Sequence, residues 1–187
     1  MNSLLNNITN FDHYINGLIL NLRQPALTEL FKDITMLGES RVIVLLVLVV
    51  SIFLYQKNQK QRIAELWLTV AGSVGFTYLL KIVFDRPRPA DALVLETSAS
   101  FPSGHATVAM AFYGFIIYLL LKQTSKKINR ILIGLCGALI ITAIGFSRLY
   151  LGVHYLSDVL VGYLVGGLWL LIGIKLNNYF RINFPPL

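Results

Sequence analysis

Three short polar islands interrupt an otherwise apolar chain, and their residue types suit one kind of chemistry. The first runs from Lys81 through six residues to Arg88-Pro89. The second is Pro102-Ser103-Gly104-His105. The third is Ser147-Arg148, then five residues to His154, then three to Asp158. Three cations, two imidazoles and a carboxylate set among apolar stretches are costly unless they meet each other and a ligand. Lysine and arginine offer only donors, and a guanidinium grips two phosphate oxygens at once. Imidazole serves as nucleophile or proton carrier near neutral pH. This inventory fits transfer of a phosphoryl group.

Local rules build each island. Ser103 is a natural N-cap for the apolar run after it, whose first amides have no helical partner. A helix start with Gly104 beside it lets a phosphate approach the backbone closely. Lys81 stands near the end of an apolar run, and Asp85-Arg86-Pro87-Arg88-Pro89 follows. The prolines end the helix and hold the backbone extended, so Arg88 can fold back toward Lys81. Arg86 reads as an interfacial cation with Asp85 as its partner. His154 and Asp158, four apart, share one helix face. There a carboxylate fixes the proton on one ring nitrogen and leaves the other free to attack. Alone, the islands have plainer readings: a helix cap, a snorkelling cation, an interfacial His–Asp pair. Together those readings fail, because two of the three histidines stand in the islands and all the islands fall on one side of the apolar runs.

Those runs must position them. At 187 residues the chain is one domain by length. It is 56% hydrophobic and only 13% charged, too apolar for an ordinary soluble domain. Five stretches carry no charge: Val42–Gln56, Leu66–Leu80, Ala106–Leu121, Ile131–Ser147 and Val159–Ile174. Each is shorter than the roughly 20 residues a spanning helix needs, so each helix continues past its bounding charges. Lys81, His105, Arg148 and Asp158 then lie inside the bundle, just below one surface. The expected fold is an all-α bundle of five spans. The longest outer connection, Asp85 to Phe101, carries Glu96–Ser100 as a flexible flap.

Charge sets the orientation. Lys57, Lys60, Arg62, Lys122, Lys126, Lys127, Arg130, Lys175 and Arg181 share one side with a single acid, Glu65. Seven cations and eight acids remain elsewhere. The basic side is cytoplasmic by this asymmetry, and the islands face the extracytoplasmic leaflet of the cell membrane. Topology accounts for the basic loops, so no nucleic-acid partner is expected. The lone Cys136 excludes an intramolecular disulfide, and no cysteine pair or His-Glu-x-x-His spacing calls for zinc. No metal or other cofactor is expected.

Residues 1–40 read as amphipathic interfacial helices before the membrane-embedded core of residues 41–187. Ile15, Leu18, Ile19 and Leu22 form one stripe; Leu27, Leu30, Phe31, Ile34 and Leu37 form a second, stopped at Gly38. Arg23-Gln24-Pro25 separates them. Insertion of Phe11–Leu22 would make six spans. Met1–Asn10 has neither a basic start nor an apolar centre, so no cleavable signal is expected. His13 reads as a polar-face residue, and Tyr113 and Trp169 as packing or belt aromatics. Gly162 and Gly166 are spaced for close helix contact within the bundle or between subunits.

Lys81-x6-Arg88-Pro89, Pro102-Ser103-Gly104-His105 and Ser147-Arg148-x5-His154-x3-Asp158 resemble the three-part signature of the type 2 phosphatidic acid phosphatase superfamily. That superfamily includes bacterial phosphatidylglycerophosphatases and undecaprenyl pyrophosphate phosphatases, glucose-6-phosphatase and vanadium haloperoxidases. Thr35 through Gly38 before a span also resembles the bacterial lipid phosphatases, many of which carry an extra span earlier. The resemblance implies that His154 is the nucleophile, that Asp158 orients it, and that His105 protonates the leaving group. It further implies that Lys81, Arg88, Ser103, Gly104 and Arg148 hold the phosphoryl oxygens of a lipid phosphate. Undecaprenyl pyrophosphate, phosphatidylglycerophosphate and phosphatidic acid are candidate substrates. Two rivals use the same residues: an intramembrane serine hydrolase built on Ser103, and a protein that binds or transports lipid phosphate without cleaving it.

Overall fold

A computed structural model of the chain describes the backbone of residues 2–183 and the side chains of residues 6–176. Among the described residues the regular structure is helical: α1 (Asn2–Leu20), α2 (Pro25–Met36), α3 (Ser40–Gln56), α4 (Lys60–Phe84), α5 (Gly104–Gln123), α6 (Lys127–Tyr150) and α7 (Leu156–Asn183). The boundaries follow local chemistry. Pro25 takes the first turn of α2, where its missing N–H costs nothing. Asp85 ends α4 in the left-handed region, just before Pro87. Ser103 caps α5. Gly152, at φ 69°, turns the chain from α6 into α7.

The five uncharged runs all lie within α3 to α7. Four helices, α4 to α7, are long and apolar enough to cross a membrane. At 17 residues α3 is short for a crossing. It reaches a fifth span only together with α2, across a 43° bend. Leu45, Leu135, Leu139 and Leu164 are each more than 60% exposed, as suits helices bathed in lipid. Cys136 is exposed as well.

At the centre, α5 is flanked by α4, α6 and α7. Its Val108, Phe112, Phe115 and Leu119 pack with Ile43, Val47 and Leu54 of α3 and Leu66 and Val70 of α4. On its other side the backbone of α7 comes very close. A Cβ on Gly162 would fall 2.7 Å from the Ser103 carbonyl oxygen, and one on Gly166 would collide with that of Thr107. The two glycines therefore serve packing inside the bundle. They also draw the start of α5 onto the start of α7, which brings the second and third polar islands together.

The spanning helices alternate in direction. The end of α4, the start of α5, the end of α6 and the start of α7 therefore share one end, and the basic turns at 57–59 and 124–126 lie at the other. The first forty residues pack against the island end: α1 on α6 and α7, α2 on α6. Ile19 is buried with Leu149, Tyr150 and Val159, and Phe31 lies 4.4 Å from the Tyr150 ring. Arg23 fastens this segment by donating to the Tyr150 and Asp91 carbonyls.

Candidate active site

A cavity of about 280 Å³ opens at the island end. Lys81, Arg88, Glu96, Ser98, Gly104, His105 and His154 form its polar rim. Val74, Thr77, Tyr78 and Val108 line it one to two helical turns deeper. Gly38 also lines it, so residues up to 116 positions apart in sequence face one space.

His154 sits in the short α6–α7 turn and is almost fully buried. Its Nε2 lies 3.2 Å from an Arg88 nitrogen, and its Nδ1 lies 3.4 Å from Asp158 Oδ2. A guanidinium can only donate, so Nε2 presents a lone pair and the ring proton is on Nδ1, facing the carboxylate. Burial pushes the imidazole down to about 4, opposed by the Asp158 bond and assisted by the Arg88 and Arg148 charges. The ring is therefore neutral at physiological pH. Asp158 is held on all sides: its Oδ2 also accepts from the Tyr155 amide at 2.9 Å and from Ser100 Oγ, and its Oδ1 accepts from Arg86 at 2.7 Å.

The cations reach the cavity from three elements. Lys81, in the last turn of α4, donates to the Ala99 carbonyl. Arg88 donates to the Ser98 and Val153 carbonyls, each at 2.8 Å. Arg148, near the end of α6, donates to Thr35 Oγ1 at 2.7 Å and to Glu96. It does not line the cavity but lies behind Glu96, whose carboxylate it shares with Arg88 at 3.7 Å. Arg148 Nε is buried and has no partner among the described residues. A buried donor left unpaired is costly, and an oxyanion in place of Glu96 would satisfy it.

The second island divides. Gly104 and His105 face the cavity. His105 packs against Gly38 at the α2–α3 bend, where an added Cβ would come 3.1 Å from its ring. The imidazole makes no hydrogen bond to a described residue and is available to a ligand. Ser103 turns away. It is fully buried, and its hydroxyl accepts from the Ala106 amide at 3.4 Å as the helix cap.

Several participants were not read from the sequence. Arg86 does not pair with Asp85; it bridges Asp158 and Asp12, at 2.7 and 2.8 Å. Asp12, on α1, is buried. A signal existed: Asp12 shares a helix face with Ile15 and Ile19, an acid within an apolar stripe. Glu96–Ser100 is no loose flap, because the Ser98 and Ala99 carbonyls, the Ser100 hydroxyl and the Glu96 carboxylate are all bonded to site residues. His13 meets the Tyr155 ring edge-on at 5.3 Å.

The profile of the PAP2 superfamily matches residues 62–182. The chain belongs to that superfamily. Phosphatidylglycerophosphatase B of Bacillus subtilis is 36% identical over 170 residues, covering 86% of this chain and 80% of that protein. Undecaprenyl-diphosphatase BcrC of the same organism is 31% identical over 130 residues, 65% of this chain and 62% of that one. The crystal structure of a transmembrane PAP2 type phosphatidylglycerolphosphate phosphatase from Bacillus subtilis superposes with a TM-score of 0.84 at 31% identity, covering 96% of this chain and 90% of that one. That of Aquifex aeolicus LpxE gives 0.71 at 30% identity, covering 87% and 93%. This PAP2 protein is thus a multi-pass membrane enzyme of the lipid phosphatase kind, and its three islands fall in or between the four helices that the profile covers.

Proposed function

We propose that this PAP2 protein hydrolyses a lipid phosphate or pyrophosphate at the extracytoplasmic face, without a metal ion, through a phosphohistidine. The observation that carries this reading is the placement of His154, with Nε2 at the cavity and Nδ1 against Asp158. The phosphoryl group enters the cationic rim and displaces Glu96, so that Lys81, Arg88, Arg148 and the Gly104 amide hold its oxygens. Nε2 attacks phosphorus as the bond to the leaving oxygen breaks, and protonated His105 gives that oxygen its proton. Neutral His105 then takes a proton from water, whose oxygen attacks phosphorus and releases phosphate and His154. Fixed donors around three oxygens supply the charge that metal ions supply elsewhere. Lys81 and Arg88 on the rim, with Arg148 behind Glu96, would repel a divalent cation there.

The deeper wall of Val74, Tyr78 and Val108 suits an apolar chain attached to the phosphate. A curated relative and a solved structure, both from Bacillus subtilis, are named for phosphatidylglycerophosphate, so a test panel starts with that lipid and adds undecaprenyl pyrophosphate and phosphatidic acid. The basic turns at the far end support the outward orientation. Phosphate release is measured for the panel on detergent-solubilised protein, with and without a strong chelator. Turnover is expected to survive chelation. Loss on chelation, restored by magnesium, overturns the metal-independent mechanism. Tight binding of these lipids with no phosphate released would identify a binding or transport protein instead.

A further inference from the structure

Behind His154, on the side away from the cavity, lies a second set of charges. Arg86 spans from Asp158 to Asp12 of α1. Asp12 is only 1% exposed. Its Oδ1 accepts from the Ser157 amide at 3.0 Å, and its Oδ2 accepts from the Ser157 hydroxyl at 2.5 Å and from Arg86 at 2.8 Å. Arg86 also donates to Ser157 Oγ and lies over the Tyr155 ring at 4.2 Å. The contacts close on the first turn of α7, the same turn that carries Asp158. None involves a residue on the cavity rim.

We propose that Asp12 is a positioning residue for His154. It anchors Arg86, Arg86 fixes Asp158 through Oδ1, and the other carboxylate oxygen is thereby aimed at His154 Nδ1. The charge count explains why an acid is needed at this place. With Asp12 absent, one Arg86 cation would face one Asp158 carboxylate and pull it away from the imidazole. With Asp12 present, the guanidinium divides between two carboxylates and stays behind the ring. The anchor comes from a helix outside the 62–182 region matched to the superfamily, so α1 completes a site whose reacting groups all lie elsewhere.

The inference rests on His154 being the nucleophile. It is tested by turnover of phosphatidic acid in detergent by wild type, Asp12→Asn, Arg86→Gln, the double variant, and His154→Ala. Asp12→Asn keeps the shape and removes the charge. Its kcat is expected to fall about 10- to 100-fold, the scale seen for outer partners of a reactive group, with KM within about twofold. Because Asp12 acts through Arg86, the double variant is expected to lose no more than Arg86→Gln alone. Should Asp12→Asn fail to fold, Ser157→Ala loosens the same anchor without changing charge. Its kcat is expected to fall about two- to tenfold, the scale of one neutral hydrogen bond. Unchanged kcat in a folded Asp12→Asn or Ser157→Ala, or losses that simply multiply in the double variant, overturns the positioning role. Near-normal turnover by His154→Ala overturns the nucleophile reading instead, and so separates the two failures.

Discussion

Arg86 and Arg88 leave one extended stretch of chain on opposite sides of His154. Pro87 and Pro89 keep that stretch out of a helix, and a polyproline-like backbone turns once in about three residues, so side chains two apart are rotated away from each other. Arg88 faces the cavity, where its partners are mostly carbonyls and it shares the single carboxylate of Glu96 with Arg148. Arg86 faces the interior and is matched by two buried carboxylates. The front cation is left under-neutralised, which an anionic ligand can correct. The rear cation is saturated and can only hold things in place. One residue type, two positions apart, thus serves capture on one side and rigidity on the other.

The largest effect is expected where the two sides meet. His154→Ala removes the ring between them while leaving both sets of cations. Phosphate release is expected to fall at least about 10⁴-fold, as when a nucleophile is deleted. Thermal unfolding of the purified protein checks that the fold survives. Residual turnover within tenfold of wild type would mean that the front cations and His105 suffice, and the distinction between the faces would lose its chemical meaning.

Next come the arginines themselves. Arg88→Ala is expected to cut kcat/KM about 10²- to 10³-fold, the scale for one lost oxyanion donor. Its melting temperature should change little. Arg86→Ala leaves two buried carboxylates without their cation, a loss of about 3–5 kcal/mol. Against a total stability of about 5–15 kcal/mol, that lowers the melting temperature sharply. The two variants should therefore separate on a plot of activity against stability. If both mainly destabilise, Arg88 is structural too and the comparison fails.

Protonation sharpens the same contrast on a finer scale. Burial and the arginine charges hold the His154 pKa at about 4, down from 6.5. The unfolded chain takes up its proton as pH falls past 6.5, while the folded protein does so only near 4. The stability contributed by this group is therefore complete above 6.5 and is lost as pH falls toward 4. Nitrogen-15 spectra of histidine-labelled protein should show one ring that stays neutral at pH 5 and carries its proton on the nitrogen facing Asp158. A midpoint near 6.5 for that ring would show a hydrated site and remove the reason for a neutral nucleophile.

Much of this was legible in the chain because the membrane constrains it. A charge-free run of about 16 residues in lipid has few options besides a helix. The alternation of such runs with basic turns gathers the islands at one end. Helical spacing pairs His154 with Asp158, and the two do meet at 3.4 Å, but His154 stands in the turn ahead of α7 and not on a shared helix face. What could not be read were contacts set by tertiary approach. Asp12 and Asp158 are joined by a guanidinium from a third segment, and no periodicity encodes that distance. The Glu96 contact is of the same kind, since its loop has no repeating pattern and takes its shape from the cations that bind it. The fifth span is ambiguous for another reason: Gly38 permits a bend, and the apolar stripe is split between α2 and α3.

The smallest expected effect concerns Ser103, which the motif places among the phosphate ligands and the structure turns toward the helix. Its hydroxyl accepts from Ala106 and is shut off from the cavity that Gly104 and His105 line. Ser103→Ala therefore removes an N-cap, worth about 1 kcal/mol of stability. Turnover should drop less than about tenfold, because what reaches the ligand is a slightly frayed first turn of α5 and not a missing donor. A serine nucleophile would instead lose all activity on this change. A loss of 10²-fold or more with unchanged melting temperature would place the hydroxyl on the ligand, which requires its χ1 to rotate away from Ala106 when phosphate arrives. Gly162 makes that rotation testable. Ser103 is held by the close approach of α7 to its own carbonyl, so Gly162→Ala should shift the start of α5 and lower activity in wild type and Ser103→Ala alike.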